Sequence, residues 1–250
     1  MNIYSALQIG DYHLNHCEDF LITKSIGSHK ILCAVMDGCS TAMESQFASA
    51  LTGKILRKIC TGKSYEEMYC KNGQNPLEEE LKDILKHLFN EMAAVKNALL
   101  LDEKELLTTL ILLLYDQKEN QGMVLCIGDG LVCINGKITE FENGNKPDYF
   151  AYHLKEDFED WYQNQTQIIT FTDLQDVSIA TDGIDTFSRV IRTSTEENIH
   201  PVDYLCINNE YHDSGEMLFR KLKKLEHHYG MKPTDDLAVI RVINPKKFNG

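Results

Sequence analysis

Three apolar stretches of the chain run into an aspartate beside a glycine. ILCAVM ends at Asp37-Gly38, MVLCI at Gly128-Asp129-Gly130, and VSIAT at Asp182-Gly183. Two further acidic pairs open apolar stretches: Glu18-Asp19 before FLIT, and Asp235-Asp236 before LAVIRVI. One Asp-Gly pair alone is most simply a turn, because Asp bonds its own backbone and Gly accepts positive φ. Five acidic positions at strand ends form a different pattern. If the strands share one edge of a sheet pair, the carboxylates converge, and they repel unless a cation sits among them. Oxygen donors flanked by glycines, where a backbone carbonyl can also approach, suit Mg²⁺ or Mn²⁺. Two such ions about 3.5–4 Å apart activate a water and clamp a phosphoryl group.

Other phosphate chemistries fit less well. A cysteine nucleophile needs an arginine six residues on, and none of the eight cysteines has one. Gly62-Lys63-Ser64 resembles the end of a P-loop, but the leading glycine would fall at Arg57, inside a helix. An aspartyl-phosphate route usually wants a second aspartate two residues after the first, and Cys39 follows Asp37 at that distance. His227-His228 reads as a solvated helix face, since no carboxylate or cysteine is spaced to join it. Trp161, with Phe158 and Tyr162, reads as a satellite hydrophobic cluster.

The elements that must position these residues follow from periodicity. Tyr4–Ile9, Phe20–Thr23 and Lys30–Met36 read as strands. Met43, Phe47, Leu51, Ile55 and Ile59 recur every four residues and predict a helix. A loop with Asn72, Gly73 and Pro76 leads to a second helix from Leu77 to Val95. Strands are expected over 107–115, 122–127 and 131–134, and Asn135-Gly136 predicts a hairpin into 137–141. Residues 142–165 read as irregular. Strands are expected over 167–171 and 177–181, helices over 185–192, 201–208 and 214–229, and a closing strand over 237–243. Hairpin-length links without βαβ alternation predict an α+β fold, with helices covering an antiparallel sandwich.

Composition sets the outer bounds. The 250 residues carry 25 basic and 38 acidic side chains, a formal charge of −13. That balance argues against nucleic-acid phosphates or an anionic membrane as partners. The N-terminus shows no basic region followed by an apolar run, and the most apolar stretch, 106–115, is about half the ~20 residues a membrane helix needs. A reduced cytoplasmic setting is the simplest expectation for eight cysteines without a CxxC. No linker or repeat divides the chain, so residues 1–250 are expected to form one domain.

The ordered set Glu18-Asp19, VMDG (35–38), LLTTLILLL (106–114), GDG (128–130), ATDG (180–183) and TDDLAVIRV (234–242) resembles the metal-dependent serine/threonine protein phosphatases of type 2C. The resemblance implies a pair of antiparallel sheets flanked by helices. It implies Asp37 as the aspartate bridging two metals and the residue on which catalysis turns. Gly38 would offer its carbonyl to one ion and Glu18 its carboxylate to the same ion. Asp182 and Asp235 would complete the shell of the other. Asp129 matches an aspartate that some members use for a third, weaker ion. Asp19 would order the ligands, and Asp236 stands where many members have asparagine. Thr108-Thr109 resembles a glycine-threonine-threonine strand that packs beneath the metals.

Departures from the family pattern fall on the substrate side. Leu14 stands where members commonly carry a phosphate-holding arginine, with His13, His16 or Lys24 as possible replacements. Cys39 follows the Asp-Gly where many eukaryotic members have a histidine that protonates the leaving group. Thr186 occupies the place of a further aspartate, which argues against a third ion. The implied function is hydrolysis of phosphoserine and phosphothreonine esters in signalling by metal-activated water, with two Mn²⁺ or Mg²⁺ ions. The implied partners are a phosphorylated protein and an opposing serine/threonine kinase. The missing arginine favours an alternative: a non-catalytic module of the same fold that binds a regulatory protein.

Overall fold

The computed structural model describes residues 1–42, 44–69, 76–142, 148–191 and 198–244. The chain order is β1 (Asn2–Gln8), β2 (Phe20–Ile26), β3 (Lys30–Met36), α1 (Ser45–Tyr69), α2 (Leu77–Leu99), β4 (Leu110–Asp116), β5 (Gln121–Ile127), β6 (Gly130–Ile134) and β7 (Lys137–Phe141). It continues with α3 (Phe158–Gln163), β8 (Ile168–Thr172), β9 (Asp176–Ala180), β10 (Phe187–Arg189), α4 (Pro201–Cys206), α5 (Met217–Tyr229), β11 (Met231–Pro233) and β12 (Leu237–Ile243). One five-stranded sheet has the order β1-β12-β9-β6-β7 and the other β2-β3-β4-β5-β8. Every pairing within them is antiparallel.

The inner strands β3, β4, β5 and β12 read as largely apolar runs because both of their faces are covered. In β3, Ile31, Cys33 and Val35 point into the layer between the sheets, where they meet Ile111 and Leu113 of β4 and Ile240 and Val242 of β12. Leu32, Ala34 and Met36 point the other way, against Leu56 of α1 and Leu81, Leu85 and Leu88 of α2. On the opposite sheet, Leu237 and Val239 of β12 pack against Leu218, Leu222 and Leu225 of α5 and Leu205 of α4. The layers are therefore helices, sheet, sheet, helices, as the sequence leads one to expect of an α+β sandwich.

Several local expectations are corrected. The segment expected to be helical over 185–192 is a short 3-10 turn, Asp182–Asp185, followed by strand β10, which pairs with β11. The reason is tertiary. Thr186 Oγ1 accepts the backbone N–H groups of Thr234 and Asp235, each at 3.1 Å, and this holds the chain extended beside the lead-in to β12. Arg192 lies outside the described residues. The 142–165 stretch is not irregular throughout. It carries a 3-10 turn, Phe150–Lys155, and helix α3, whose Asp157 carboxylate accepts from the N–H groups of Glu159 and Asp160. Trp161 is no satellite. It is buried in the main core beside Phe89 of α2, ring centroids 4.7 Å apart. Met43, Cys70, Asn72 and Gly73 lie outside the described residues.

Candidate metal centre

Antiparallel pairing places the end of one strand beside the start of the next, and the register does this on one rim of both sheets. Phe20 pairs with Met36, so Glu18-Asp19 enters β2 where Asp37 leaves β3. Leu110 pairs with Ile127, so Thr108-Thr109 lies beside Gly128 to Gly130, the link that carries the chain from one sheet to the other. Val239 pairs with Ala180, so Asp182 leaves β9 where Asp235-Asp236 leads into β12.

Asp37 is fixed through its backbone. Its N–H donates to Thr109 Oγ1 at 3.1 Å, and its carbonyl accepts from Thr109 N at 2.9 Å and Thr108 Oγ1 at 2.7 Å. Both threonines are buried, so they hold the aspartate from beneath. Gly38 is pressed against the start of α1. A Cβ there would lie 2.1 Å from the Ser45 carbonyl oxygen and 2.8 Å from that of Glu18, so only glycine fits. Gly183 is confined in the same way, since its Cβ would meet the Asp236 carbonyl oxygen at 1.8 Å.

Asp236 organises the loop before β2. Its buried carboxylate accepts from Gly10 N at 2.7 Å and Glu18 N at 2.5 Å, and is bonded to His13 Nδ1 at 2.9 Å. The other ring nitrogen, His13 Nε2, lies 3.4 Å from Asp235 Oδ1. Burial works against a charge on His13, yet the hydrogen bond to Asp236 and the fields of Asp236, Glu18 and Asp235 raise its pKa. His13 thus stands on the carboxylate rim. His16 is exposed, and among the described residues no hydrogen bond joins it to the cluster. Lys24 lies further along β2, where its charge acts on Cys60 of α1. Leu14 is 91% exposed, so nothing apolar claims the place of the missing arginine.

The electrostatics show a shared burden of negative charge. Burial first, then the neighbouring Asp19, Asp182 and Asp235, push Asp37 well above the usual carboxylate range. Burial pushes Asp19 up to about 7, with Asp236 and Asp182 adding to the effect. Burial, Asp129 and Asp235 push Asp182 up to about 6. Asp129 is raised by burial. Asp19 is 2% exposed, and its Oδ2 accepts from Thr181 Oγ1 at 2.6 Å. Its Oδ1 is buried with no hydrogen-bond partner, and the Asp37 carboxyl is a close neighbour of the side chain. A cleft of about 350 Å³ opens beside Asp129 and Asp182, walled by Glu140, Glu142 and Asp185.

Among the described residues, no group of three or more acidic, histidine or cysteine side chains is already arranged as a cage around one ion. The donor set nevertheless fits hard divalent cations. It consists of carboxylates and a glycine with no room for a side chain, includes an orphaned buried oxygen, and among the described residues has no lysine or arginine paired into it. Without a cation such carboxylates relieve their repulsion by taking up protons, which is what the raised values of Asp19, Asp37 and Asp182 describe.

Two contributors carried little signal in the sequence. Thr181 bridges the sheets: its hydroxyl donates to Asp19 and accepts from Ala238 N at 2.9 Å. A threonine before Asp-Gly could have drawn notice. Tyr149 could not. Burial first, then the neighbouring Cys39, Asp37 and Asp129, raise the pKa of its phenolic hydroxyl. Cys39 is 7% exposed, with Sγ 3.1 Å from Thr41 Oγ1. Burial opposes its ionisation, but the bonds from Thr41, Tyr149 and the Ala42 backbone hold the thiol below its ordinary value.

Comparison with known proteins agrees with this frame. The sequence profile of the family Protein phosphatase 2C matches residues 9–219, and the chain belongs to that family. Its family and fold are those of metal-dependent protein phosphatases. A bacterial serine phosphatase carrying an arginine-to-glutamate substitution superposes with a TM-score of 0.64 at 14% identity, covering 98% of each chain. The catalytic domain of the phosphatase PstP, solved with two manganese ions, gives 0.56 at 17%, covering 96% of each. The phosphatase domain of SpoIIE from Bacillus subtilis, with a fragment of its regulatory domain, gives 0.55 at 15%. There the match covers 97% of this chain and 63% of that one. At these identities the likeness is one of fold. No curated protein matches the chain in sequence. Among the described residues, no helix is long and apolar enough to cross a membrane.

Proposed function

We propose that the chain, residues 1–250 forming one domain, hydrolyses phosphoserine and phosphothreonine esters of a protein at a two-metal site. Glu18, Asp37, Gly38, Asp182 and Asp235 would hold the ions, with Asp129 at the margin. The observation that carries the reading is the convergence of half-buried carboxylates at the sandwich rim around buried Asp19, whose Oδ1 has no hydrogen-bond partner. Two bound Mn²⁺ or Mg²⁺ ions would supply a water of lowered pKa and offset charge on the phosphoryl oxygens.

The chain's own residues do the positioning. Thr108 and Thr109 fix Asp37, so its carboxylate can face both sheets' ligands. Asp236 holds the backbone of Glu18, and Thr181 holds Asp19. His13, whose pKa burial lowers but its carboxylate neighbours raise on balance, is the basic group nearest in chain to Leu14 and, when protonated, can attract a phosphate dianion. The Cys39–Tyr149 pair lies in the neighbourhood of Asp37. A phosphoprotein substrate, an opposing serine/threonine kinase and a place in signalling belong to the same proposal.

A steady-state assay with p-nitrophenyl phosphate under Mn²⁺ and Mg²⁺ titration tests it. Turnover should require the metal and fall at least about 10³-fold in Asp37→Asn and Asp182→Ala, with thermal unfolding still cooperative. Metal-dependent turnover retained in Asp37→Asn overturns the proposal. The fully exposed Leu14 supports the second reading, a partner-binding module without catalysis. No turnover with any divalent metal, from a protein that still unfolds cooperatively, favours that reading.

A further inference from the structure

The 3-10 turn Phe150–Lys155 is the middle of a strap that runs from Asp148 to Glu156. Backbone contacts seat the strap on the segments that carry the rim. Phe150 N donates to the Thr108 carbonyl at 3.0 Å, and the Thr108 hydroxyl in turn holds the backbone of Asp37. A Cβ on Gly128, which precedes Asp129, would lie 2.8 Å from the Asp148 carbonyl oxygen. Phe150 is fully buried and meets Phe89 of α2 edge-on, ring centroids 4.8 Å apart. Tyr149 sits between these two anchors, with Cys39, Asp37 and Asp129 as its neighbours.

His153 ties the two ends of the strap together. Its Nε2 lies 2.8 Å from Asp148 Oδ1, and its Nδ1 lies 2.8 Å from Glu156 Oε1. Its side chain is 16% exposed, and its ring centroid is 5.5 Å from that of Trp161 on α3. A neutral imidazole carries one N–H and can donate to one carboxylate only. Its other nitrogen would then turn a lone pair toward a carboxylate oxygen, and the two repel. Both contacts are favourable together only in the imidazolium. Burial works against that charge, but the bonds to Asp148 and Glu156 and their fields outweigh it and raise the pKa. Charges on the adjoining elements are engaged elsewhere. Glu103, in the turn before β4, pairs with Lys155, and Glu159 of α3 pairs with Lys82 and Lys86 of α2. Asp157 caps α3, and Asp129 stands on the link beneath Asp148.

We propose that His153 is a pH-sensitive clasp that, when protonated, closes the strap and keeps Tyr149 at the carboxylate rim. When one ring nitrogen gives its proton to solvent, the clasp loses one of its two carboxylates and the strap loosens. The direction follows from the raised pKa: the clasp contributes fully below the ordinary histidine value of 6.5, and its contribution is lost as pH rises through the higher folded value. The proposal stands apart from the hydrolytic reading, because none of His153, Asp148 and Glu156 is a proposed metal ligand.

Amide hydrogen exchange of the full chain between about pH 6 and pH 9, corrected for the base-catalysed chemical rate, tests it. The reporters are the amides of Phe150 and Glu156, which donate to the carbonyls of Thr108 and His153, each at 3.0 Å. Their protection should fall at least about fivefold across that range in the wild type and stay level in His153→Gln. Asp19 and Asp182 also titrate near the lower end of the range, and the variant leaves both in place, so it separates their effect from that of the clasp. Nitrogen-15 shifts of the His153 ring should show both nitrogens protonated at the low end and a titration above 6.5, which Glu156→Gln moves downward. Protection that does not change with pH in the wild type overturns the proposal, as does an equal fall in His153→Gln. A ring that is already a neutral tautomer at pH 6 overturns it too, and that measurement needs no variant.

Discussion

At the scale of single residues, the rim works by confinement. Gly38 has room for no Cβ, so Gly38→Ala must push α1 or the Glu18 backbone aside. A loss of about 1–3 kcal/mol in urea unfolding is expected, with a fall in metal affinity. Asp236 satisfies two backbone donors, so Asp236→Ala strands Gly10 N and Glu18 N. It should cost about 2–3 kcal/mol and release the loop before β2, seen as faster amide exchange at Gly10 and Glu18. The acidic positions were legible in the sequence because aspartate beside glycine at the end of an apolar run is a local pattern. Tyr149 was not legible. It reaches Cys39 through the path of the chain after β7, and nothing in its neighbours marks it. Lys24 fits a different environment from the one its charge suggested, because seven residues of paired strand carry β2 away from the rim.

At the scale of elements, β3, β7 and β12 were legible to their end residues. Their apolar runs or turn signals are bounded by Asp-Gly, Asn-Gly and Asp-Asp. Strand β10 was not legible, because three residues carry no period and only its pairing with β11 makes it extended. Another element-level feature was hidden as well. Buried Lys221 of α5 donates to the carbonyls of Tyr204, at 2.6 Å, and Asn208. Arg241 of β12 donates to those of Leu205 and Asn208, at 3.1 and 2.6 Å, while pairing with Asp176. Two cations thus cap the C-terminal carbonyls of α4, a favourable end for positive charge. Burial, with Arg241 adding to it, still lowers the Lys221 pKa to about 7. A lysine depressed in the folded state lends its full stability only above its ordinary value of 10.5, and that stability is lost as pH falls toward 7. Wild type should therefore gain on Lys221→Met between pH 7 and 9.5, by on the order of 2–3 kcal/mol in urea unfolding. An equal pH dependence in the two proteins would show that Lys221 keeps its charge throughout.

At the scale of the whole molecule, the proposed metal ligands come from both sheets. Glu18 and Asp37 belong to one, Asp182 and Asp235 to the other. Mutual repulsion among them is a burden on the folded state that a cation removes. Adding Mn²⁺ at about 100 times its Kd should stabilise the fold by about 2.7 kcal/mol. The melting temperature should then rise by several degrees, whereas NaCl of equal ionic strength should not reproduce the rise. Asp182→Ala should blunt the response.

That the proposed ligands come from both sheets makes the rim a gauge of how the sheets slide over one another. The layer between them holds Val35, Ile111, Ile240 and Val242, all buried and interdigitated. A shear of one ångström there would part the carboxylates by a similar amount, without disturbing a single strand pairing. Ile240→Ala, five residues beyond Asp235 on β12 and buried in that layer, should loosen the registry of the sheets. Metal affinity would then be set in part by the fit of aliphatic side chains that never meet the ion.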